Sequence, residues 1–291
     1  MSWLLFAAAL AVVLFVAAVG WHGSQVVFQP PKMLPHTVWP ERFGLSHETV
    51  RFAAPDGVPL TGWVIGAKTP TDRTILMFHG WGDNKGDLLE RTFRLAERFN
   101  LVLIDHRNHG ESGGMLSTIG FLESRDAKAT LDWLERHHPS WMNHLGVFGL
   151  SMGGALAIWA AAQDARLRCV AVDAPFPSFN GVVGRFCKNS FCLPYYPFAW
   201  MVLRIIRFRL GGDPEPFSPI YHVARISPRP MLFIAGARDR LMPLADVREL
   251  HQAAGEPKEM WVVEEASHGK TSTAAGPEYQ ERLMDFFGRH L

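Results

Sequence analysis

From residue 46 onward, short apolar runs alternate with stretches in which apolar residues recur three and four positions apart. The runs fall at 74–78 (TILMF), 101–104 (LVLI), 145–148 (LGVF), 170–172, 231–235 (MLFIA) and 260–263 (MWVV). Short apolar runs of this kind, bounded by turn residues, read as buried strands. The intervening "GDLLERTFRLAERF", "SRDAKATLDWLERHH", "ALAIWAAAQ" and "LADVRELHQAAG" read as helices with one apolar face. Ahead of them, "ETVRFAAPDGVPLTGWVIGA" alternates apolar and polar residues around Asp56-Gly57, the signature of a hairpin. The pattern predicts an α/β fold, a mostly parallel sheet with helices on both faces.

Two stretches depart from the alternation. Residues 3–21, "WLLFAAALAVVLFVAAVGW", carry no charge and would span roughly 28 Å as a helix at 1.5 Å per residue. With no Lys or Arg before it, the run fits a retained membrane anchor over 1–21 better than a cleaved signal, although Ala18-Val19-Gly20 resembles a small-x-small cleavage site. Lys32 and Arg42 follow the span and leave its orientation open. Residues 22–45, with Pro30, Pro31, Pro35 and Pro40, read as a tether, and 46–291 as the folded domain. The second departure, 176–226, lacks a strand and is rich in proline and aromatics. It reads as a cap inserted over the sheet's carboxyl edge. Within it, "WMVLRIIRFRL" puts Arg204 and Arg207 beside a stripe of Leu203, Ile206 and Leu210, which suits either a helix lying on anionic lipid or a cap helix packed on the sheet with its arginines in solvent.

Composition narrows the class. The formal charge of +1 gives no footprint for nucleic acid, and 48% hydrophobic with 20% charged residues fits a globular core. Cys169, Cys187 and Cys192 are too few for a disulfide scaffold or a structural metal site. Cys169 reads as a core residue, and the other two stand close enough in sequence for a bridge.

The chemistry concentrates at "GLSMGG", 149–154, where Ser151 follows one predicted strand and opens a helix of small residues. A tight strand–turn–helix lifts such a hydroxyl above the sheet, as in a G-x-S-x-G nucleophile elbow. The hydroxyl needs a base, and the base needs a carboxylate to hold its tautomer. Chains with this elbow carry the acid and then the histidine after the serine. His268, in the loop after the last apolar run, is the candidate base, and Asp239, after the run at 231–235, the candidate acid. Asp173 is the rival acid. The glycines of "FHGWGDNKG" free backbone donors, and the N–H groups of Trp81 and Met152 are the candidate oxyanion hole. His79 precedes the serine and reads as structural.

In order, "HGWG", "DHRNHGES", "GLSMGG", "GARDRLMP" and "SHG" resemble the α/β-hydrolase superfamily over residues 48–291, nearest its serine-aminopeptidase-like and monoglyceride-lipase-like branch. The branch pattern D-x-R-G-H-G-x-S is met by Asp105, Arg107, His109, Gly110 and Ser112, with Asn108 in place of a glycine. The resemblance implies that this stretch is structural and that a cap lies between the sixth and seventh strands.

The expectation is a membrane-anchored serine hydrolase cleaving a carboxylic ester, thioester or amide through an acyl-enzyme on Ser151. It calls for no metal and no organic cofactor. The partners expected are an acyl substrate, with lipids among the candidates, and a membrane at the N-terminal helix. An aminopeptidase or acyltransferase on the same triad is the nearest rival, although the cap offers only Asp213 and Glu215 to bind an amino terminus. A catalytically silent scaffold is the rival of another class.

Overall fold

The computed structural model describes residues 2–32 and 36–291, so Pro35 of the expected tether lies outside the described residues. Helix α1 (Ser2–Phe28) comes first, followed by the hairpin β1 (Glu48–Ala53) and β2 (Pro59–Ile65). The chain then alternates through β3 (Arg73–Phe78), α2 (Lys85–Thr92), β4 (Asn100–Asp105), α3 (Glu123–His137), β5 (His144–Leu150), α4 (Met152–Gln163) and β6 (Leu167–Asp173). The cap carries α5 (Phe179–Phe191) and α6 (Trp200–Leu210). The chain closes with β7 (Met231–Gly236), α7 (Leu244–Ala253), β8 (Lys258–Val263), α8 (Thr271–Ala275) and α9 (Pro277–His290).

The eight strands of the described residues form one sheet in the order β1-β2-β4-β3-β5-β6-β7-β8. β2 pairs antiparallel with β1 and β4, and every other pairing is parallel. The central parallel strands are buried on both faces, which explains why they read as continuous apolar runs. Their side chains still alternate. On β3, Leu76 and Phe78 enter the core beneath α3, α4 and α7, while Ile75 and Met77 enter the core beneath α2 and α9. The expected hairpin closes through Asp56-Gly57, with the Ala54 N–H donating to the Val58 carbonyl at 2.8 Å.

The N-terminal helix departs from expectation. It runs seven residues past Trp21 to Phe28, because no helix breaker stronger than Gly23 precedes Pro30 and Pro31. Its last turns pack on the cap: Val27 and Phe28 are fully buried with Val183, Val202, Leu203 and Ile206. Burying two such side chains stabilises this contact by roughly 1.5–3 kcal/mol each. Gly20 and Gly23 permit the close crossing, since a Cβ at either would press on Met201 or Val202 of α6. The expected tether is thus partly helix and partly docked, with His36 buried against the domain. The expected lipid-facing stripe of α6 is also reassigned, because Leu203 and Ile206 are covered by protein. Cys169, Cys187 and Cys192 are all free thiols, the first a core residue.

Candidate active site

β5 ends in a turn at Ser151 with φ 54° and ψ −114° before α4 begins at Met152. A non-glycine residue held there costs of the order of 1–3 kcal/mol, so its surroundings must enforce it. The Ser151 N–H donates to the Asp173 carbonyl at 2.7 Å, and the Ser151 carbonyl accepts from the Ala155 N–H at 3.1 Å. Gly149 and Gly153 are required by space. A Cβ on Gly149 would strike the Gly153 carbonyl, and one on Gly153 the Phe78 carbonyl.

The structure brings three of the sequence candidates into one relay. His268 Nε2 lies 3.1 Å from Ser151 Oγ, and His268 Nδ1 lies 2.7 Å from Asp239 Oδ2. The other oxygen of Asp239 accepts from the N–H groups of Leu241 (2.8 Å) and Met242 (2.7 Å), which fixes the carboxylate. A fixed carboxylate selects the tautomer with the proton on Nδ1 and leaves Nε2 free to accept from Ser151. Asp173, the rival acid, makes no hydrogen bond to His268 among the described residues. It is buried and accepts from Thr271 Oγ1 and from Tyr279 OH, and burial raises its pKa.

The expected oxyanion donors lie on the two loops beside the hydroxyl. The Met152 N–H is the first of α4, one of the unpaired donors that open a helix. Trp81 follows β3, and its backbone N–H meets no backbone acceptor among the described residues. Its indole Nε1–H donates to the Val27 carbonyl at 3.0 Å. His79 is fully buried, with Nδ1 on the Gly80 carbonyl (2.7 Å) and Nε2 accepting from the His106 N–H (3.0 Å). Burial pushes its pKa down to about 4, so at neutral pH it is an uncharged prop for the loop.

"DHRNHGES" is structural, as the resemblance implies. Arg107 reaches Asp126 at 2.6 Å and Asp56 at 2.9 Å, and Ser112 Oγ donates to the Asp105 carbonyl at 2.6 Å. His36, Asp105 and Glu111 converge as a metal site would, but the Lys85 ammonium occupies their centre at 2.8, 2.5 and 2.7 Å. That buried lysine escaped sequence reading because its partners come from two separate segments, His36 from one and Asp105 with Glu111 from another. Asn108 takes up the left-handed conformation (φ 59°) that a glycine would fill, and its side chain donates to the Phe28 carbonyl at 3.2 Å.

A cavity of ≈ 160 Å³ opens beside Ser151 and His268. Its walls are apolar: Val27 of α1, Phe176, Val183 and Phe186 of the cap, and Leu241 and Met242 after β7. Asp213 and Glu215 are not on it. Asp213 pairs with Arg207 at 3.0 Å, and Glu215 accepts from Ser178 Oγ and the Asn180 N–H at the start of α5. Sequence reading missed the wall from α1, whose position depends on packing against the cap.

Comparison with known proteins agrees with this architecture. The X-Pro dipeptidyl-peptidase (S15) family profile matches residues 74–193. The uncharacterized protein YfhR of Escherichia coli K12 is 28% identical over 249 residues, covering 83% of this chain and 80% of that one. The α/β-hydrolase domain-containing protein WAV2 of Arabidopsis thaliana is 26% identical over 270 residues, covering 88% and 83%. Among solved structures, the Pyrococcus furiosus esterase Pf2001 superposes with a TM-score of 0.75 at 25% identity, over 91% of this chain and 98% of that one. Sheet order and these likenesses agree, and the chain belongs to the α/β-hydrolase superfamily as a hydrolase of that class.

Proposed function

We propose that this hydrolase is a serine esterase working through an acyl-enzyme on Ser151. The observation that carries the reading is the single imidazole, His268, held between Ser151 Oγ and the fixed carboxylate of Asp239. As Oγ attacks the ester carbonyl, Nε2 takes its proton and the Nδ1–H bond to Asp239 stabilises the imidazolium. The carbonyl electrons move to an oxyanion facing the Met152 and Trp81 N–H groups. They return as the C–O bond to the alcohol breaks, and His268 gives that alcohol its proton. Water repeats the sequence in reverse and frees the acid.

The cavity favours an acyl chain over a charged amino terminus, because both cap carboxylates are engaged elsewhere. At ≈ 160 Å³ it holds about five groups the size of a water, roughly 30 Å³ each. A panel of p-nitrophenyl esters beside aminoacyl and X-Pro p-nitroanilides tests this. Acyl chains of about four to eight carbons should give the highest kcat/KM, on the volume argument above. Preference for an X-Pro anilide would instead favour the activity for which the S15 family is named.

We also infer that α1 holds the domain at a membrane. Residues 3–15 stand clear of the domain for most of their surface and extend about 20 Å at 1.5 Å per residue, short of a hydrocarbon core of about 30 Å. For α1 to span, the cap beside it must sink by about 10 Å, the depth at which interfacial helices lie. The exposed flank of α6 suits that position. Trp200 (37% exposed) and Phe208 (82%) stand eight residues apart on it, with Arg204 between them over the Trp200 ring. This stripe replaces the one expected from sequence, and Arg207 is held by Asp213 instead. A fluorophore on Phe208→Cys, in a Cys192→Ser background of the full chain, should shift to the blue in anionic liposomes relative to detergent-free buffer. Emission unchanged by liposomes would contradict the submerged cap.

A further inference from the structure

Helix α1 ends inside the active site. The last carbonyls of a helix have no helical N–H to accept from, and here groups of the site loops supply the donors. Trp81 Nε1–H donates to the Val27 carbonyl (3.0 Å), while the Ser117 N–H (2.8 Å) and Asn108 Nδ2–H (3.2 Å) donate to that of Phe28. The same turn sends the Val27 side chain into the cavity wall. From the other side α6 clamps it. The Arg209 guanidinium lies over the Trp21 ring (5.1 Å) and the Phe28 ring (4.6 Å) and donates to Ser24 Oγ at 2.8 Å and Gln25 Oε1 at 3.2 Å. Asn108 is the one departure from the branch pattern. A glycine would satisfy its backbone, but only the asparagine supplies a donor to α1.

We propose that the last turn of α1 is a working part of the site, with Val27 setting acyl-chain length and the Val27 carbonyl positioning the oxyanion loop through the Trp81 indole. The proposal rests on the esterase reading above. Val27 touches the acyl chain, so changing its size must alter discrimination between chains. Each methylene that gains or loses burial is worth about fourfold in kcat/KM. Trp81 acts at one remove. Trp81→Phe keeps the backbone N–H and loses the indole donor that locates it, while an aromatic ring still lines the cavity beside Phe186. Because the oxyanion exists only in the transition state, the loss should fall on kcat and spare KM.

The experiment uses the full-length protein in detergent or liposomes. The octanoate-to-acetate ratio of kcat/KM is measured for wild type, Val27→Ala and Val27→Phe, with fluorophosphonate labelling of Ser151 in each. The ratio should rise about fourfold or more in Val27→Ala and fall about tenfold in Val27→Phe. Trp81→Phe should lower kcat about tenfold, with KM within about threefold. If Val27→Phe does not fold, Val27→Ala decides alone. Ratios within twofold of wild type in labelled variants, or a Trp81→Phe loss confined to KM, would overturn the proposal. A wild-type protein that the fluorophosphonate leaves unlabelled would overturn the esterase reading, and this proposal with it.

Discussion

Ser151→Ala will lower kcat/KM for the best ester substrate by about 10⁴-fold or more, while thermal stability stays level or rises. Loss of any member of a working triad leaves only the rate supplied by the oxyanion hole and by binding. The fold has no reason to suffer. Among the described residues the Ser151 hydroxyl bonds only to His268, and the backbone bonds that hold the turn, to Asp173 and Ala155, survive the change. Alanine occupies the same strained φ of 54° about as well as serine does. A stability gain would be the expected signature of a strained functional residue relieved of a polar group. Activity within tenfold of wild type, measured at matched protein concentration by ester hydrolysis, would remove Ser151 from the chemistry.

The second large effect separates two carboxylates that sequence alone leaves in competition. Asp239→Asn should reduce kcat by about 10⁴-fold, because an amide cannot hold His268 in the required tautomer or stabilise its charged form. Asp173→Asn should change kcat less than tenfold and instead cost about 1–3 kcal/mol of stability, the range for disturbing a buried hydrogen-bonded group. The geometry separates them. Asp239 Oδ2 stands 2.7 Å from His268 Nδ1, whereas Asp173 Oδ2 accepts from Thr271 and Tyr279. Chemical denaturation alongside kinetics reads both quantities. A crippled Asp173→Asn enzyme that unfolds normally would shift the acid to the end of β6.

Much of this arrangement was legible in the residues. Strand positions followed from apolar runs because parallel strands are buried on both faces and so cannot hide their character. Ser151, Asp239 and His268 could be placed because the ends of β5, β7 and β8 all reach one sheet edge, so order along the chain becomes proximity in space. The end of α1 was not legible from hydropathy. The charge-free run stops at Trp21, but a helix ends where its backbone is broken, and the first strong breakers are Pro30 and Pro31. The stripe of Leu203 and Ile206 posed the opposite difficulty. Periodicity shows that a face is covered but not by what, and the covering residues lie some 180 positions earlier. Lys85 and Asn108 were hidden for the same reason, since the groups that explain them come from distant segments.

The most direct measurement is to treat the full-length protein with a fluorophosphonate and map the adduct by peptide mass. One modified residue is expected, Ser151, with labelling lost in Ser151→Ala and slowed at least about a hundredfold in His268→Gln, because the hydroxyl then has no base. Ester hydrolysis that continues with Ser151 unmodified, or an adduct on another serine, would contradict it.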